Sequence, residues 1–487
     1  MRTRFAPSPT GMLHIGGLRT ALFAYLVARQ TKGSFLLRIE DTDQERSVEG
    51  AIENILRTLH WAGIPPDEGV LLEQGTVTQK GSKGPYIQSE RLALYRKYAD
   101  ELLASGKAYP CFCSTERLDR MRKDQQAHKQ APMYDRKCLG LSKEVAASRI
   151  AAGEKYVIRM EIPRSSAVTF TDDIRGFVSF EGETIDDQVL LKSDGFPTYH
   201  LAHVVDDHLM DIDMVIRGEE WLSSLPKHLL LFEYLGWKAP RYAHVPLLLN
   251  ADRSKLSKRQ GDVAAEDYQA KGYLPEALLN FLALLGWNPG TEQELFSLSE
   301  LIDAFSIERI SKAGAIFDHE KLDWIQGQWI RKFTPEEFLQ RIHPYLQKDL
   351  PVACKDPGIL AKAILIQERL VLLPEAPETL RFFYEEPTVT MELLANPKQK
   401  LTSELVKEIL PQLHALLEGI DIKDWNRTML EEKLRGLVEA KGYKLGQVLW
   451  PLRAALTGKP YSPGAFEVAE ALGKEKTLQR IDRSIQI

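Results

Sequence analysis

The sequence has little of what secreted and membrane-spanning proteins depend on. Only 4 of its 487 residues are cysteine, too few for a disulfide-stabilised scaffold. No apolar segment typical of a secretory signal peptide follows Met1. The most apolar stretch, 277–287, contains Asn280 and is too short to cross a bilayer. These absences predict a reduced, soluble cytoplasmic protein without membrane contact, or an organelle form made without its transit peptide.

Neither sign of charge is in large excess. The 63 lysines and arginines and the 68 aspartates and glutamates leave a formal net charge of −5. This balance excludes a uniformly basic nucleic-acid-binding protein, but it leaves room for one basic face. Internal repeats and low-complexity runs are also absent. A chain of this length with 44% hydrophobic residues predicts about three globular domains.

Hydrophobic periodicity predicts a parallel α/β structure in the first half. Apolar runs at 35–39, 214–216 and 245–249 are typical of buried strands, and Pro246 limits the last to an edge or a strand start. Between residues 17 and 29, apolar residues recur with the spacing of one helix face. A strand, a turn, a helix and a second strand in this order are typical of a parallel α/β domain.

The second half has a different pattern. After about residue 290, helical spacing replaces the strand-like runs, which predicts a mostly helical structure. Glycine-rich and polar segments at 75–84, 288–290 and 458–464 predict loops.

The first segment that suggests chemistry is 4–17, with the sequence RFAPSPTGMLHIGG. Its prolines and first glycine favour an extended loop, after which the predicted helix begins. A helix N-terminus offers unpaired N–H groups and a positive dipole end, which suit phosphate. Gly16 allows a nucleotide close to the backbone, and His14 can donate to a phosphate whose charge grows in a transition state. The alternative is a capped helix with a surface histidine.

The second segment is 255–259, with the sequence KLSKR, followed by Gly261. Three cations and a hydroxyl within five residues can hold a polyphosphate. A solvated surface loop is the alternative for this segment alone.

Together the two segments resemble the signatures of class I aminoacyl-tRNA synthetases. Residues 14–17 resemble His-Ile-Gly-His with Gly17 in place of the second histidine, and 255–259 resemble Lys-Met-Ser-Lys-Ser with Leu256 and Arg259 as departures. Both departures are familiar in the glutamyl branch. Further matches to bacterial-type glutamyl-tRNA synthetases cover almost the whole chain: RIEDTD at 38–43, GPY at 84–86, QS at 88–89, KSDGFPTYH at 192–200, VVDD at 204–207, RGEEW at 217–221, GYLPEAL at 272–278, KLGQ at 444–447 and PLRAALTG at 451–458.

The resemblance implies an α/β Rossmann-type catalytic domain with an inserted acceptor-binding domain, followed by an all-α C-terminal anticodon-binding region. The implied limits are 1–95 and 200–252 for the two halves of the Rossmann catalytic domain, 96–199 for the inserted acceptor-end-binding domain with a zinc site, 253–330 for a stem-contact domain with the Lys-Leu-Ser-Lys-Arg loop, and 331–385 and 386–487 for two helical anticodon-binding subdomains.

The implied activity is ATP-dependent attachment of L-glutamate to the 3′ end of tRNA(Glu) through a glutamyl-adenylate, with release of AMP and pyrophosphate. The expected partners are tRNA(Glu), ATP with Mg²⁺, and L-glutamate, and the expected state is a monomer. One alternative is a non-discriminating enzyme that also charges tRNA(Gln). A glutaminyl enzyme is disfavoured by the helical C-terminal half, and a glutamyl-queuosine tRNA-modifying enzyme by the chain length. Arg4, His14 and Lys258 disfavour a non-catalytic tRNA-binding paralogue.

The resemblance also implies roles for individual residues. Arg4 is expected to bind the side-chain carboxylate of glutamate through a bidentate fork that excludes uncharged glutamine, and Glu40 to counter the α-ammonium group. His203 stands where the family is expected to have asparagine. The implied glutamate contacts are Arg4, Ser8, Glu40, Tyr199, His203 and Arg217. The implied ATP contacts are Ser8, His14, Gly16, Glu220, Trp221, Leu247, Leu248 and Lys258. Catalysis is assigned to His14, Lys255 and Lys258, with Lys258 stabilising the pyrophosphate leaving group. Arg369 is the candidate for anticodon recognition.

A third pattern consists of cysteines. Cys111 and Cys113 form a C-x-C pair, and Cys138 follows after 24 intervening residues, so that three thiolates are available for zinc. Glutamyl enzymes with zinc typically have a histidine two residues after the third cysteine, where this chain has glycine. Tyr134 is favoured over His128 as the fourth ligand. The prediction is one structural Zn²⁺, and the alternative is a zinc-less remnant with buried thiols.

Overall fold

The computed structural model describes residues 1–256 and 264–487. Residues 257–263, which include Lys258, lie outside the described residues. Contacts divide the chain into two compact units, Met1–Ala270 with Pro275–Leu322 and Lys271–Leu274 with Asp323–Ile487. Among the helices of the described residues, none has the length and apolar character needed to span a membrane.

Strands and helices alternate in the first unit, and helices dominate the second. The strands are β1 (Thr3–Phe5), β2 (Phe35–Leu37), β3 (Glu68–Glu73), β4 (Thr76–Lys80), β5 (Ala108–Cys111), β6 (Val157–Met160), β7 (Ala167–Asp172), β8 (Gly176–Glu181), β9 (Val189–Leu191), β10 (Met214–Gly218), β11 (Arg241–Val245), β12 (Leu248–Leu249) and β13 (Ala315–Ile316). The helices of the first unit are α1 (Ile15–Gln30), α2 (Ala51–Trp61), α3 (Leu92–Ala104), α4 (Thr115–Ala127), α5 (Lys143–Ala151), α6 (Tyr199–Leu209), α7 (Leu225–Tyr234), α8 (Ala265–Lys271), α9 (Pro275–Leu284) and α10 (Leu298–Ala304). They are followed by α11 (His319–Lys332), α12 (Pro335–Asp349), α13 (Ile359–Gln367), α14 (Ala376–Leu380), α15 (Met391–Leu394), α16 (Ser403–Glu418), α17 (Arg427–Lys441), α18 (Leu445–Thr457), α19 (Ala465–Leu472) and α20 (Lys474–Ile485).

The central sheet of the first unit has six strands in the order β11-β10-β1-β2-β3-β4. All neighbours are parallel except β3 and β4. The chain leaves this sheet after β4 and returns at β10, where Met214 lies opposite Thr3. The strand order therefore reverses at β1. In open α/β sheets such a reversal creates a crevice at the carboxyl ends of the strands, where ligands bind.

Helix α1 is more buried than a surface helix. It begins at Ile15, within the segment 14–17 that was predicted to open it, and the side chains of Leu18 and of 21–28 are buried. The helix packs on β1, β2 and β10 and also contacts α9 and α10. Because both sides are covered, the helix lacks the broad polar face that amphipathic spacing predicted.

Two local predictions were wrong. The predicted strand at 245–249 is split, because β11 ends before Pro246 and β12 begins after it. Proline has no N–H to donate to a ladder, so the chain leaves the sheet there. The predicted loop at 75–84 contains β4, which pairs with β3 through a turn at Gly75. This edge strand is largely polar, so its sequence resembles a loop.

Residues between β4 and β10 form separate sheets. Strands β5, β6 and β9 make an antiparallel sheet, and β7 and β8 form a hairpin. The three-stranded sheet shares a core with α3, α6 and α7, with Tyr95, Met160 and Leu231 fully buried. The hairpin contacts β11, and the backbone N–H of Asp173 donates to the carbonyl of Tyr242 at 2.9 Å.

The second unit is helical in its described residues. Capping boxes start well-defined helices, as at Thr334 and Glu337, where each side chain accepts a hydrogen bond from the other residue's backbone. Helix α18 contacts α15, α16, α17, α19 and α20. Its buried residues include Val448, Leu452 and Leu456. The predicted all-α C-terminal region is confirmed. The finer domain limits stay a prediction.

Candidate active site

A cleft of about 1200 Å³ lies in the first unit, bordered by residues that follow β1 and β10. It contains most of the residues that the sequence resemblance assigned to glutamate and ATP. Those on its walls are Arg4, Ser8, His14, Gly16, Glu40, Tyr199, Arg217, Glu220, Trp221, Leu247, Leu248 and Lys255. His203 is not among the lining residues, and Lys258 lies outside the described residues.

The N-terminus of α1 faces this cleft. His14 is its N-cap residue, and its Nδ1 accepts a hydrogen bond from the N–H of Gly16 at 2.9 Å. In the neutral ring the proton is therefore on Nε2, which can donate to a phosphate oxygen. A Cβ at Gly16 would lie 3.1 Å from the same Nδ1, so alanine there would press on the imidazole.

Gly17, the departure from the second signature histidine, is closely packed. A Cβ at this position would lie 3.0 Å from Cδ1 of Leu13 and 3.6 Å from Cζ of Phe5. A larger side chain would have to displace Leu13, so the glycine fits the local packing.

Arg4 is 4% exposed and already has a carboxylate partner. Its Nε donates to Oδ1 of Asp207 at 3.2 Å and its Nη2 to Oδ2 at 3.4 Å. Asp207 also accepts from Nη1 of Arg38 at 2.7 Å. No described residue accepts a hydrogen bond from Nη1 of Arg4. Asp207 therefore occupies part of the Arg4 guanidinium fork that was expected to bind glutamate. Nη1 of Arg4 can still donate to a ligand.

Glu40 provides negative charge on the same wall. Its Oε1 accepts from Nη2 of Arg38 at 2.9 Å. Burial raises the pKa of Glu40, and the nearby Arg38 and Arg4 oppose that effect. The carboxylate is therefore positioned to pair with a cationic ligand group, whose charge would favour its ionised form.

Arg217 is 5% exposed and, within the described residues, forms no ion pair with a carboxylate. Its Nε donates to Nε2 of His244 at 3.0 Å, and its Nη1 donates to the hydroxyl of Tyr199 at 2.9 Å. Nδ1 of His228 lies 3.3 Å from Nη2. A buried cation with neutral partners favours an anionic ligand.

His203 lies behind Tyr199 instead of on the cleft wall. The two rings stack with centroids 5.2 Å apart, and Nδ1 of His203 is 3.0 Å from Oδ2 of Asp207. Burial lowers the pKa of His203 to about 3, so the ring is neutral and donates to Asp207. Its Nε2 lies 3.4 Å from Nη1 of Arg217. The geometry favours an indirect effect on glutamate over the predicted contact.

Aromatic and apolar side chains also line the cleft, among them Trp221, Leu247 and Leu248. Glu220 and Trp221 lie in a short 3-10 turn, Glu219–Ser224, that follows β10. Trp221 is 36% exposed, with its ring 4.3 Å from that of Tyr199. Lys255 is exposed at the rim of the cleft, and its backbone forms an isolated antiparallel β-bridge with that of Leu249. An exposed aromatic ring beside apolar leucines suits a nucleobase.

Arg19 is a cleft residue that sequence reasoning missed. It is almost fully buried and donates to the carbonyl of Leu285 at 2.9 Å and to that of Pro246. Burial lowers the pKa of Arg19 to about 10, against the opposing effect of Glu220 and Glu219. The available signal was an arginine in the predicted helix, two residues after the signature segment 14–17. Other missed lining residues include Thr10, Arg46, Gln88, Lys192 and Phe196.

The predicted cysteine cluster is brought together. One ligand atom from each of Cys111, Cys113 and Cys138 lies within 4.8 Å of the others. The Tyr134 hydroxyl is 3.3 Å from Sγ of Cys111 and 3.4 Å from Sγ of Cys113, whose Sγ is 3.6 Å from that of Cys138.

These distances fit a tetrahedral zinc ion. With Zn–S near about 2.3 Å and Zn–O near about 2.0 Å, a regular tetrahedron has S–S edges of about 3.8 Å and S–O edges of about 3.5 Å. His128 lies exposed at the C-terminus of α4, where its Nδ1 is 2.8 Å from the carbonyl of Asp124. The groups that could hold a metal ion here are therefore the three thiols and the hydroxyl of Tyr134.

The second unit has a cleft of its own, of about 460 Å³, which includes Arg369. Tyr461, on the same cleft, is 85% exposed. Lys459 donates to the carboxylate of Glu378 at 2.8 Å. Cations beside an exposed aromatic ring are typical of surfaces that bind unstacked nucleotides. The cleft is lined by Glu368, Arg369, Thr379, Phe382, Lys459, Tyr461, Ser462 and Pro463.

Comparisons with known proteins agree with this geometry. Residues 1–324 match the family described as tRNA synthetases class I (E and Q), catalytic domain, and residues 337–485 match an anticodon binding domain. The chain is 47% identical to a glutamate–tRNA ligase of Chlorobium chlorochromatii over 507 aligned residues, which cover 100% of this chain and 98% of that protein. The corresponding protein of Clostridium tetani is also 47% identical, with 100% and 97% covered. A crystal structure of a glutamate tRNA ligase from Elizabethkingia meningosepticum in complex with its amino acid superimposes with a TM-score of 0.88 at 36% identity, covering 100% of this chain and 99% of that one.

Proposed function

The chain belongs to the class I family of glutamyl- and glutaminyl-tRNA synthetases, and we propose on this premise that it is a glutamate–tRNA ligase. It activates L-glutamate with ATP and transfers the glutamyl group to the 3′ end of tRNA(Glu). The observation that carries this proposal is the composition of the cleft in the first unit. Its lining combines Arg4, Arg217 and Glu40 with His14 and the N-terminus of α1.

The charges suit glutamate as the bound amino acid. Nη1 of Arg4 and the guanidinium of Arg217 accommodate the side-chain carboxylate, and Glu40 pairs with the α-ammonium group. Glutamine has the same shape but no charge, so it leaves Arg217 buried without an anion. The desolvation cost of that cation then disfavours glutamine.

In the first step, an oxygen of the glutamate α-carboxylate attacks the α-phosphorus of ATP. A new P–O bond forms, the bond to the β-phosphate oxygen breaks, and pyrophosphate leaves. Nε2 of His14 and the N-terminus of α1 stabilise charge on the phosphate oxygens. When bound with ATP, Mg²⁺ would neutralise charge on the pyrophosphate. Lys258, to which the resemblance assigns stabilisation of the pyrophosphate leaving group, would act in the same step.

In the second step, the terminal ribose hydroxyl of the tRNA attacks the carbonyl carbon of the adenylate. The bond from the carbonyl carbon to the phosphate oxygen breaks, AMP leaves with the bonding electrons, its phosphate takes up the hydroxyl proton, and the ester to tRNA forms. No covalent bond to the protein is needed, so the side chains act by positioning and electrostatics. Residues 96–199 are proposed to bind the acceptor end, and 253–330 to contact the stem.

The zinc site is proposed to stabilise the inserted segment. Cys111, Cys113, Cys138 and Tyr134 would hold the ion, and zinc would contribute folding energy by cross-linking β5 to the loop before α5. It lies outside the set of cleft residues, so it has no assigned chemical step.

We propose that the helical unit reads the anticodon through the cleft that contains Arg369. A guanidinium in such a cleft can hydrogen-bond a base edge, while Tyr461 offers a stacking surface. The enzyme is proposed to act as a cytoplasmic monomer, which size-exclusion chromatography with light scattering tests.

The function is tested by charging purified tRNA(Glu) and tRNA(Gln) with labelled glutamate and with labelled glutamine. We expect glutamyl-tRNA(Glu) with release of AMP and pyrophosphate, and no product with glutamine. Charging of tRNA(Gln) with glutamate would identify the non-discriminating form. Absence of glutamate transfer to either tRNA would refute the proposed function.

A further inference from the structure

Arg217 is linked through the ring of His244 to the carboxylate of Asp172, which does not contact Arg217 directly. Its Nε donates to Nε2 of His244 at 3.0 Å. Nδ1 of the same ring is 2.6 Å from Oδ2 of Asp172. All three side chains are buried. Neither His244 nor Asp172 lines the cleft, so both act at a distance from any ligand there.

The two partners of His244 determine its tautomer. A guanidinium only donates hydrogen bonds, so Nε2 must be the accepting nitrogen. A carboxylate only accepts, so Nδ1 must carry the proton. Of the ring forms, only the neutral Nδ1–H tautomer satisfies both contacts. Burial lowers the pKa of His244, which agrees with a neutral ring.

Hydrogen bonds from the backbone fix the orientation of the Asp172 carboxylate. Asp172 is the last residue of β7, and its Oδ1 accepts from the backbone N–H groups of Ile174 at 3.0 Å and Arg175 at 2.9 Å. Its Oδ2 is thereby directed to His244 on β11. The β7–β8 hairpin therefore supplies the carboxylate that orients a ring in the catalytic sheet.

We propose that Asp172 and His244 are positioning residues that orient Arg217 for the side-chain carboxylate of glutamate. This inference rests on the proposed function and adds two residues to the selection of the substrate. A guanidinium is planar, so fixing its Nε–H sets the direction of both Nη groups. Nη1 then meets the hydroxyl of Tyr199 at 2.9 Å, at the cleft wall.

Asp172→Asn tests the proposal with almost no change in volume. Its Oδ1 can still accept from the turn, but its amide donates to Nδ1 of His244. The ring of His244 must then carry its proton on Nε2. Two N–H donors, Nε2–H of His244 and Nε–H of Arg217, then face each other and cannot form a hydrogen bond. We expect the KM for glutamate to rise about tenfold, the effect of one lost buried hydrogen bond, with little change in the KM for ATP.

Two substitutions of His244 provide an independent comparison. His244→Phe removes the acceptor, whereas the amide of His244→Gln can accept from Arg217 and donate to Asp172. We expect His244→Gln to recover most of the glutamate affinity that His244→Phe loses. Asp173→Asn is the matched control, because Asp173 pairs with Arg241 at the surface.

The assay is ATP–pyrophosphate exchange with tRNA present, with the KM measured for glutamate and ATP and a melting curve for each variant. An unchanged KM for glutamate in Asp172→Asn, an equal rise in both KM values, or identical glutamate KM values for His244→Phe and His244→Gln would overturn the inference. If the wild-type protein shows no glutamate-dependent exchange, the proposed function fails instead.

Discussion

Replacement of Arg217 by glutamine is the most informative change in the proposed glutamate site. The substitution keeps a polar side chain, shorter than that of arginine, and removes the charge. The structure predicts a modest effect on folding, because Arg217 has no carboxylate partner among the described residues and Asp172 keeps its contact with His244. The loss should therefore appear in substrate binding and catalysis.

The size of the effect follows from the contacts that are lost. Hydrogen bonds to charged groups contribute about 1.5–3 kcal/mol each, and Arg217 offers two Nη groups to the substrate. A loss of about 3 kcal/mol lowers kcat/KM for glutamate by about 150-fold. Glutamine, which never had the ion pair, should lose much less, so the preference for glutamate should shrink.

The assay is pyrophosphate exchange with saturating ATP and tRNA, with kcat/KM determined for glutamate and for glutamine. Arg217→Lys serves as the partial-rescue variant, since a point charge keeps the attraction without the planar fork. An unchanged ratio of the two kcat/KM values in Arg217→Gln, or a melting temperature low enough to explain the loss, would refute the reasoning.

Further predictions concern the other charged and metal-binding groups. His14→Ala should lower kcat for exchange far more than it raises the KM for ATP, because the contact strengthens as phosphate charge grows; a raised KM with normal kcat would contradict this. The raised pKa of Glu40 means that its ionised form is lost as pH falls through a value above the ordinary carboxyl range, so kcat/KM for glutamate should fall there, and Glu40→Gln should lack this acid limb in a pH profile. Elemental analysis should find about one zinc per chain, reduced in Cys113→Ser but retained in the Cys354→Ser control, because Cys354 is a free cysteine of the second unit and is not in the cluster; metal-free protein purified without chelator would contradict the site. Arg369→Ala should raise the KM for tRNA in charging assays and leave the KM for glutamate unchanged.

Sequence reasoning succeeded where chemistry is carried by local motifs. The segment 4–17 predicted a helix start next to phosphate-binding groups, and the structure places His14 at the N-cap of α1 beside the cleft. The spacing of Cys111, Cys113 and Cys138 predicted a thiol cluster, which the fold brings together. In these cases a few neighbouring residues determine the geometry.

Contacts between residues that lie far apart in the chain could not be predicted from the sequence. Asp207 occupies part of the Arg4 fork although 203 positions separate the two residues. The link from Arg217 through His244 to Asp172 joins three strands and has no local signature. Strand β4 was missed because an exposed edge strand can be polar and still pair through its backbone. Each of these features depends on which strands and helices become neighbours in the fold.

A crystal structure with a stable glutamyl-adenylate analogue, in which a phosphate ester replaces the mixed anhydride, tests the central claim most directly. The account predicts the side-chain carboxylate within hydrogen-bond distance of Arg217 and Nη1 of Arg4, the ammonium group at Glu40, and the phosphate at His14 and the N-terminus of α1. A bound analogue whose side-chain carboxylate lies away from both arginines would contradict it.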